Sequence, residues 1–245
     1  MKNFLYNVKN SLLYLFQYPV DHLVHTTVDY DAYWVDKRGE NLGVLSRWQK
    51  QRADLMLRYL NPNESMSIVD VGCGDGSVLA YLRTKTNLKR AIGVDVSSTA
   101  LVKARTQGIE TLLVGKVLEE AVDVIPEADH VLLLEVLEHM PDAEKFLQTM
   151  HQKARGGVFF SFPNTGYFLH RFRLLLGRFP LQWRLHPSEH LRFWTYHDLR
   201  WWLEALGYRT YHIHVYEGVP VLKRLLPSLF GKGLLVYLPK DQERK

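Results

Sequence analysis

Cysteine is almost absent from this 245-residue chain. Cys73 is the only one, so an internal disulfide framework is excluded and a reducing compartment fits. There is no C-x-x-C pair, and none of the 11 histidines falls in an H-E-x-x-H pattern, so the sequence predicts no metal site. Long apolar runs are missing too. No window approaches about 18 uninterrupted apolar residues, and no membrane-spanning helix is expected. Residues 1–20 lack a small-residue cleavage site after an unbroken apolar core and do not read as a signal peptide. Their stripe of Phe4, Leu5, Val8, Leu12, Leu15 and Phe16 reads as an amphipathic helix over the domain; a helix resting on a membrane surface is the alternative. A cytoplasmic protein is the expectation. Excess charge is small: 31 Lys and Arg against 26 Asp and Glu give +5, which permits an anionic substrate or a nucleic acid and selects neither. No repeat, low-complexity tract or linker marks a second domain.

What is present is a rhythm of short β-rich runs and helical stretches, the mark of βαβ units and a mostly parallel sheet. A helix is predicted over 45–60, with Trp48, Ala53, Leu55, Met56 and Leu60 on its apolar side. Strands are predicted at 67–71, 91–96, 111–114, 130–134 and 157–162. Helices fall at 78–84, 97–108 and 142–154, the second capped by Ser97 or Ser98. The rhythm breaks at 164–192 and resumes with a capping box, Thr195 to Asp198, which opens a helix through Leu206. Closing strands follow at 208–216 and 234–238. The fold class is therefore α/β: a Rossmann-like, seven-stranded, mostly parallel sheet with helices on both faces and an antiparallel final strand.

After the first strand comes Gly72-Cys73-Gly74-Asp75-Gly76. Alternate glycines let the backbone turn sharply and approach a ligand without a Cβ in the way. The spacing is G-x-G-x-G, not the G-x-G-x-x-G of a dinucleotide site. Asp70 ends the strand just before the turn, where a carboxylate can take a hydrogen bond from a ligand ammonium group. Asp95 closes the second strand, where an acid can accept two bonds from ribose hydroxyls.

The segments IVDVGCGDGSVLAYL, AIGVDVSSTAL, VLLLEVLEHMPD and VFFSFPN resemble the successive signatures of class I S-adenosylmethionine-dependent methyltransferases, over about residues 45–216. Within them the chain is most similar to the group containing the methionine-biosynthesis MetW proteins and, more loosely, to the ubiquinone-pathway O-methyltransferases. DYDAYW at 29–34, GRFP at 177–180 and HLRFWTYHDL at 190–199 carry that finer likeness. The resemblance implies S-adenosylmethionine as cofactor. Gly72, Cys73, Gly74 and Gly76 would line its methionyl part, with Asp70 beneath. Asp95 would hold the ribose and Val96 press on the adenine. Many relatives place an adenine-contacting Asp or Asn near position 116. Lys116 cannot accept that bond, so a backbone carbonyl near Val117 would serve instead. Glu135 would pass close to the reacting sulfonium. Residues 1–44 form a helical and aromatic cap in this reading, and 45–245 the methyltransferase domain.

Methyl transfer is an in-line displacement that positioning and desolvation can drive, and a hydroxyl acceptor gains from a base. His139 follows a central strand and is a candidate base, or equally a structural histidine; His190 is a second candidate, and Glu138 an orienting group or base. The insertion at 164–192 carries Arg171, Arg173, Arg178, Arg184 and Arg192 among interleaved aromatics. It reads as a substrate wall, with Tyr33, Asn164, Arg171 and Arg192 as acceptor contacts, or as a solvated basic face. The leading expectation is O- or N-methylation of a small-molecule acceptor, anionic and aromatic or lipid-like. The alternatives are a MetW-like regulatory module working through a protein partner, and an RNA or DNA methyltransferase. No appended nucleic-acid module is visible, so nucleic acid is set aside as a partner.

Overall fold

Seven strands form one sheet in the order β3-β2-β1-β4-β5-β7-β6 in the computed structural model, which describes residues 13–16, 29–35, 42–115, 117–182 and 189–240. The strands are β1 Met66–Val71, β2 Leu88–Asp95, β3 Glu110–Leu113, β4 Ala128–Leu134, β5 Ala154–Pro163, β6 His212–Tyr216 and β7 Gly233–Pro239. The first five pair in parallel, while β7 runs antiparallel to both β5 and β6. The expected class is thus the observed one. Lys116, Arg184 and most of residues 1–20 lie outside the described residues.

Alternation along the central strands feeds two cores. Val69, Val71, Val131, Leu133, Phe160 and Phe162 face one layer, and Ile68, Leu132, Leu134 and Phe159 the other. The helices over these faces start where the sequence caps them. Ser97 accepts from the Ala100 N–H before α4 (Ser98–Thr106), and Thr195 and Asp198 close a reciprocal box before α7 (Tyr196–Ala205). A second box, Ser46 with Gln49, opens α2 (Arg47–Met56), shorter at both ends than the predicted helix. Gly76 starts α3 (Ser77–Arg83) at φ 74°, a left-handed conformation suited to glycine; a Cβ there would meet Ala104 Cβ at 2.8 Å. α1 (Tyr30–Tyr33) precedes these, and α5 (Ala143–Lys153) follows β4.

The described part of the 164–192 excursion contains α6 (Phe168–Leu175), and its first residue, Asn164, forms a parallel bridge with Trp194 just beyond it. Two short helices, α8 (Leu222–Leu225) and α9 (Pro227–Phe230), also lie between the closing strands, where no helix is expected from sequence. Strand order reverses between β1 and β4, so the carboxyl ends of those strands open the crevice where α/β sheets bind ligands.

Candidate functional site

A cavity of about 530 Å³ occupies that crevice, within the size range of small-molecule sites. Its floor is the glycine turn. Gly72 and Gly74 adopt φ 75° and 54°, and Gly72, Cys73 and Gly74 line the cavity. Gly76 does not; it packs α3 against α4. The Asp95 carboxylate accepts from the Gly74 N–H at 2.7 Å and the Ser97 N–H at 2.8 Å. It is buried at the cavity wall beside Val96, which also lines the space. Val117 points elsewhere and is 43% exposed; its neighbours Leu118 and Glu119 form the wall. Cys73 is buried, and burial pushes its thiol well up, so it serves as a wall rather than a nucleophile.

Asp70 is fully buried, and its Oδ1 has no hydrogen-bond partner. Burial raises its carboxyl to about 7, with Arg52 pulling down and Asp95 pushing up. Arg52 was not among the residues expected here. It lies on the apolar side of α2, one turn from Trp48 and one from Met56, and a charge on such a face is the signal that could have found it. It is 3% exposed, donates to Ser161 Oγ at 2.9 Å, stands 3.5 Å from Glu135 and stacks over Trp48. Its Nε is buried without a partner beside the cavity. A buried guanidinium with its Nε unpartnered and a buried carboxylate with its Oδ1 unpartnered suit a zwitterionic ligand.

Glu135 has φ 60°, a strained value for a non-glycine residue. Its carboxylate accepts from Ser161 Oγ at 2.8 Å and Tyr216 OH at 2.7 Å. It lines the cavity, and so does Tyr216, which sequence reasoning also missed because β6 reaches the site only through the sheet.

Beyond it the chain turns through a 3₁₀ segment, Leu137–His139. Glu138 is 1% exposed, and neither of its carboxylate oxygens has a partner. Burial and then the Glu135 charge hold its carboxyl well above the usual range. His139 Nδ1 donates to the Glu189 carbonyl at 2.5 Å, which leaves Nε2 with its lone pair. His190 packs edge-on to His139 with centroids 4.8 Å apart. Burial lowers both imidazoles, His190 to about 3 with help from His139, so both are neutral at pH 7. One ligand atom from each of Glu138, His139 and His190 fits within 4.8 Å, the one such group among the described residues. Sequence spacing predicts no metal site, because the two histidines are 51 residues apart.

The expected acceptor contacts divide. Tyr33 lines the cavity with Tyr30 and Trp34. Asn164, Arg171 and Arg192 do not, and the correction has a physical reason: Asn164 and Arg192 bond the protein itself, while Arg171 is tied through its Nε and lies at the exposed surface. Asn164 is fully buried and donates to the Ser228 and Gly231 carbonyls. Arg171 donates to the Gly166 carbonyl at 2.6 Å. Arg192 reaches the Met140 and Pro141 carbonyls and Glu144. Arg173 and Arg178 likewise serve the carbonyls of Tyr14 and Phe16. His170 and Lys232 border the cavity instead.

Residues 44–213 match the family model described as a methyltransferase domain. The small RNA 2'-O-methyltransferase of Arabidopsis thaliana is 28% identical over 200 residues, covering 69% of this chain and 20% of that protein. The ubiquinone biosynthesis O-methyltransferase of Methylobacterium nodulans is 30% identical over 149 residues, covering 53% and 57%. The chain thus spans about a fifth of the first relative's length and just over half of the second's. A solved S-adenosylmethionine-dependent methyltransferase from Archaeoglobus fulgidus superposes with TM-score 0.58 at 18% identity, covering 87% of this chain and all of that one, which supports the fold. The expectation that set nucleic acid aside is corrected here, since the relatives include an enzyme of small RNA. No helix among the described residues is long and apolar enough to cross a membrane.

Proposed function

From the premise that the chain belongs to this methyltransferase-domain family, we propose that it methylates a hydroxyl oxygen with a divalent cation held by Glu138, His139 and His190. It is a class I enzyme, and S-adenosylmethionine is its methyl donor. In our reading Asp95 takes the ribose hydroxyls, Gly72 and Gly74 admit the methionyl backbone, and Asp70 and Arg52 meet its ammonium and carboxylate. Leu118 and Glu119 replace Val117 on the adenine side.

Glu138 carries the proposal. Two buried carboxylate oxygens without a donor call for a proton or a cation, and two neutral imidazoles stand beside them. Imidazole nitrogens with one carboxylate suit a transition-metal divalent ion better than calcium, and Mn²⁺ serves as the probe for it. Such an ion lowers the pKa of an oxygen bound to it and orients that oxygen. The two curated relatives named above, one of small RNA and one of ubiquinone biosynthesis, are both O-methyltransferases, which favours oxygen over nitrogen as the acceptor atom. The ubiquinone enzyme also supports the finer likeness to that neighbourhood.

A second reading keeps His139 as a metal-free general base through its open Nε2. The two part on one measurement. Titration calorimetry with Mn²⁺ should give one site in the wild type and none in His190→Ala. Transfer of labelled methyl to a catechol or to the terminal ribose of a short RNA should stop when the metal is chelated. Absence of Mn²⁺ binding, or transfer that survives chelation, overturns the metal and leaves the base.

A further inference from the structure

We propose that the face built by α6 and α8 docks on an anionic lipid surface. Apolar side chains normally exposed one at a time are concentrated here. Leu175 is 80% exposed, Leu225 70% and Val221 67%; Phe172, Leu176 and Leu226 are about half exposed or more. The two are joined through α9, which follows α8 directly and packs against it: Phe168 on α6 lies against Phe230 on α9 at 5.6 Å, and the Asn164 amide ties the start of this region to the carbonyls of Ser228 and Gly231. Phe16, 59% exposed, extends the surface, because the Arg178 guanidinium holds its carbonyl and covers its ring.

Charge selects the occupant. Residues 164–182 and 218–239 contain three basic residues each and no acidic one. Arg171, Arg224 and Lys232 lie exposed at this face, and the flanking Glu217 is paired with Lys232 at 3.5 Å. Aliphatic residues ringed by cations match a bilayer interface, where leucines enter the acyl boundary and cations meet lipid phosphates. Most of these side chains are aliphatic, with only Phe172 and Phe16 offering a stacking plane for bases, and the cations around them repel a second copy of the same face. His170 of α6 and Lys232 also border the cavity, so docking sets the cavity mouth at the lipid surface.

The inference is independent of the metal and of turnover, and its test reads neither. The full chain is floated with vesicles of phosphatidylcholine alone or mixed with phosphatidylglycerol. It should float with the mixed vesicles, weakly with neutral ones, and less as salt rises. Leu175→Glu combined with Leu225→Glu should cut vesicle binding about tenfold or more, with S-adenosylhomocysteine binding unchanged as the control for folding. Three outcomes overturn the proposal. One is absence of flotation, and another is flotation indifferent to the double substitution. The third is light scattering or RNA retardation showing that the substitutions abolish a dimer or an RNA complex while vesicle binding persists.

Discussion

At Glu138 the two carboxylate oxygens meet no donor, and the residue is closed off from solvent. A buried charge left so costs several kcal/mol, a cost that a bound cation would remove. Glu138→Gln separates the two consequences. The variant should unfold at the same temperature or higher at pH 8 without metal, yet bind Mn²⁺ at least about tenfold more weakly; thermal melts and calorimetry read the two. Asp70 shows the same logic without a metal. Burial lifts its folded-state carboxyl to about 7. An unfolded chain ionises at the ordinary carboxylate value, so the unfolded state is favoured increasingly as pH rises from there to about 7. Asp70→Asn should therefore raise the melting temperature of the cofactor-free protein at pH 8 by several degrees and leave it little changed near pH 4. The reverse order would show that Asp70 is stabilised by Arg52 more than it is destabilised by burial.

Between elements, the site depends on ties that join distant segments, and this decides what sequence could show. The glycine turn, Asp95 and the Glu135–His139 run were legible because each follows its own strand, and a parallel sheet places all such ends on one side. Seven strands, the cap at Ser97 and the capping box at Thr195 were legible for the same local reason. Arg52 and Tyr216 were not, since Arg52 enters from α2 outside the sheet and Tyr216 ends the edge strand β6, remote from β1 in the strand order. Arg171 and Arg192 were read as acceptor contacts but face carbonyls, because composition cannot tell a guanidinium facing a ligand from one facing a carbonyl. Arg192 is the informative case. The Leu191 and Arg192 N–H groups both donate to the Glu138 carbonyl, and the guanidinium clasps Met140, Pro141 and Glu144. That staple sets His190 beside His139. Arg192→Met should weaken Mn²⁺ binding about tenfold or more and lower kcat, while S-adenosylhomocysteine affinity stays within about twofold. An equal loss of both affinities would instead mark a general unfolding of the crevice.

Over the whole molecule, two segments that belong to no strand flank the cavity. Glu189 and His190 line it beside His139, and Tyr30, Tyr33 and Trp34 line it beside the glycine turn. A Cβ on Gly74 would overlap the Trp34 ring, so the indole lies directly on that turn, while Tyr30 and Tyr33 line the space beside it. The Asp31 carboxylate helps to hold this roof. Asp31 accepts from Ser97 Oγ at 2.6 Å and from the Thr99 N–H at 2.9 Å, at the N-terminus of α4. There the unpaired backbone N–H groups favour an anion. The Ser97 and Thr99 bonds hold its carboxyl below the usual range. The contribution is therefore present above the ordinary carboxylate pKa and lost as pH falls through the lowered one. Asp31 touches neither the metal ligands nor the floor of the cavity, so its loss should act on cofactor retention alone. Asp31→Ala is expected to speed S-adenosylmethionine release and raise its KM about tenfold, with kcat at saturating cofactor within about threefold of wild type. Stopped-flow quenching of the tryptophans reads the release rate. An unchanged release rate would mean that Trp34 stays seated by its own packing, and that the 29–35 segment is a fixed wall instead of a roof that opens.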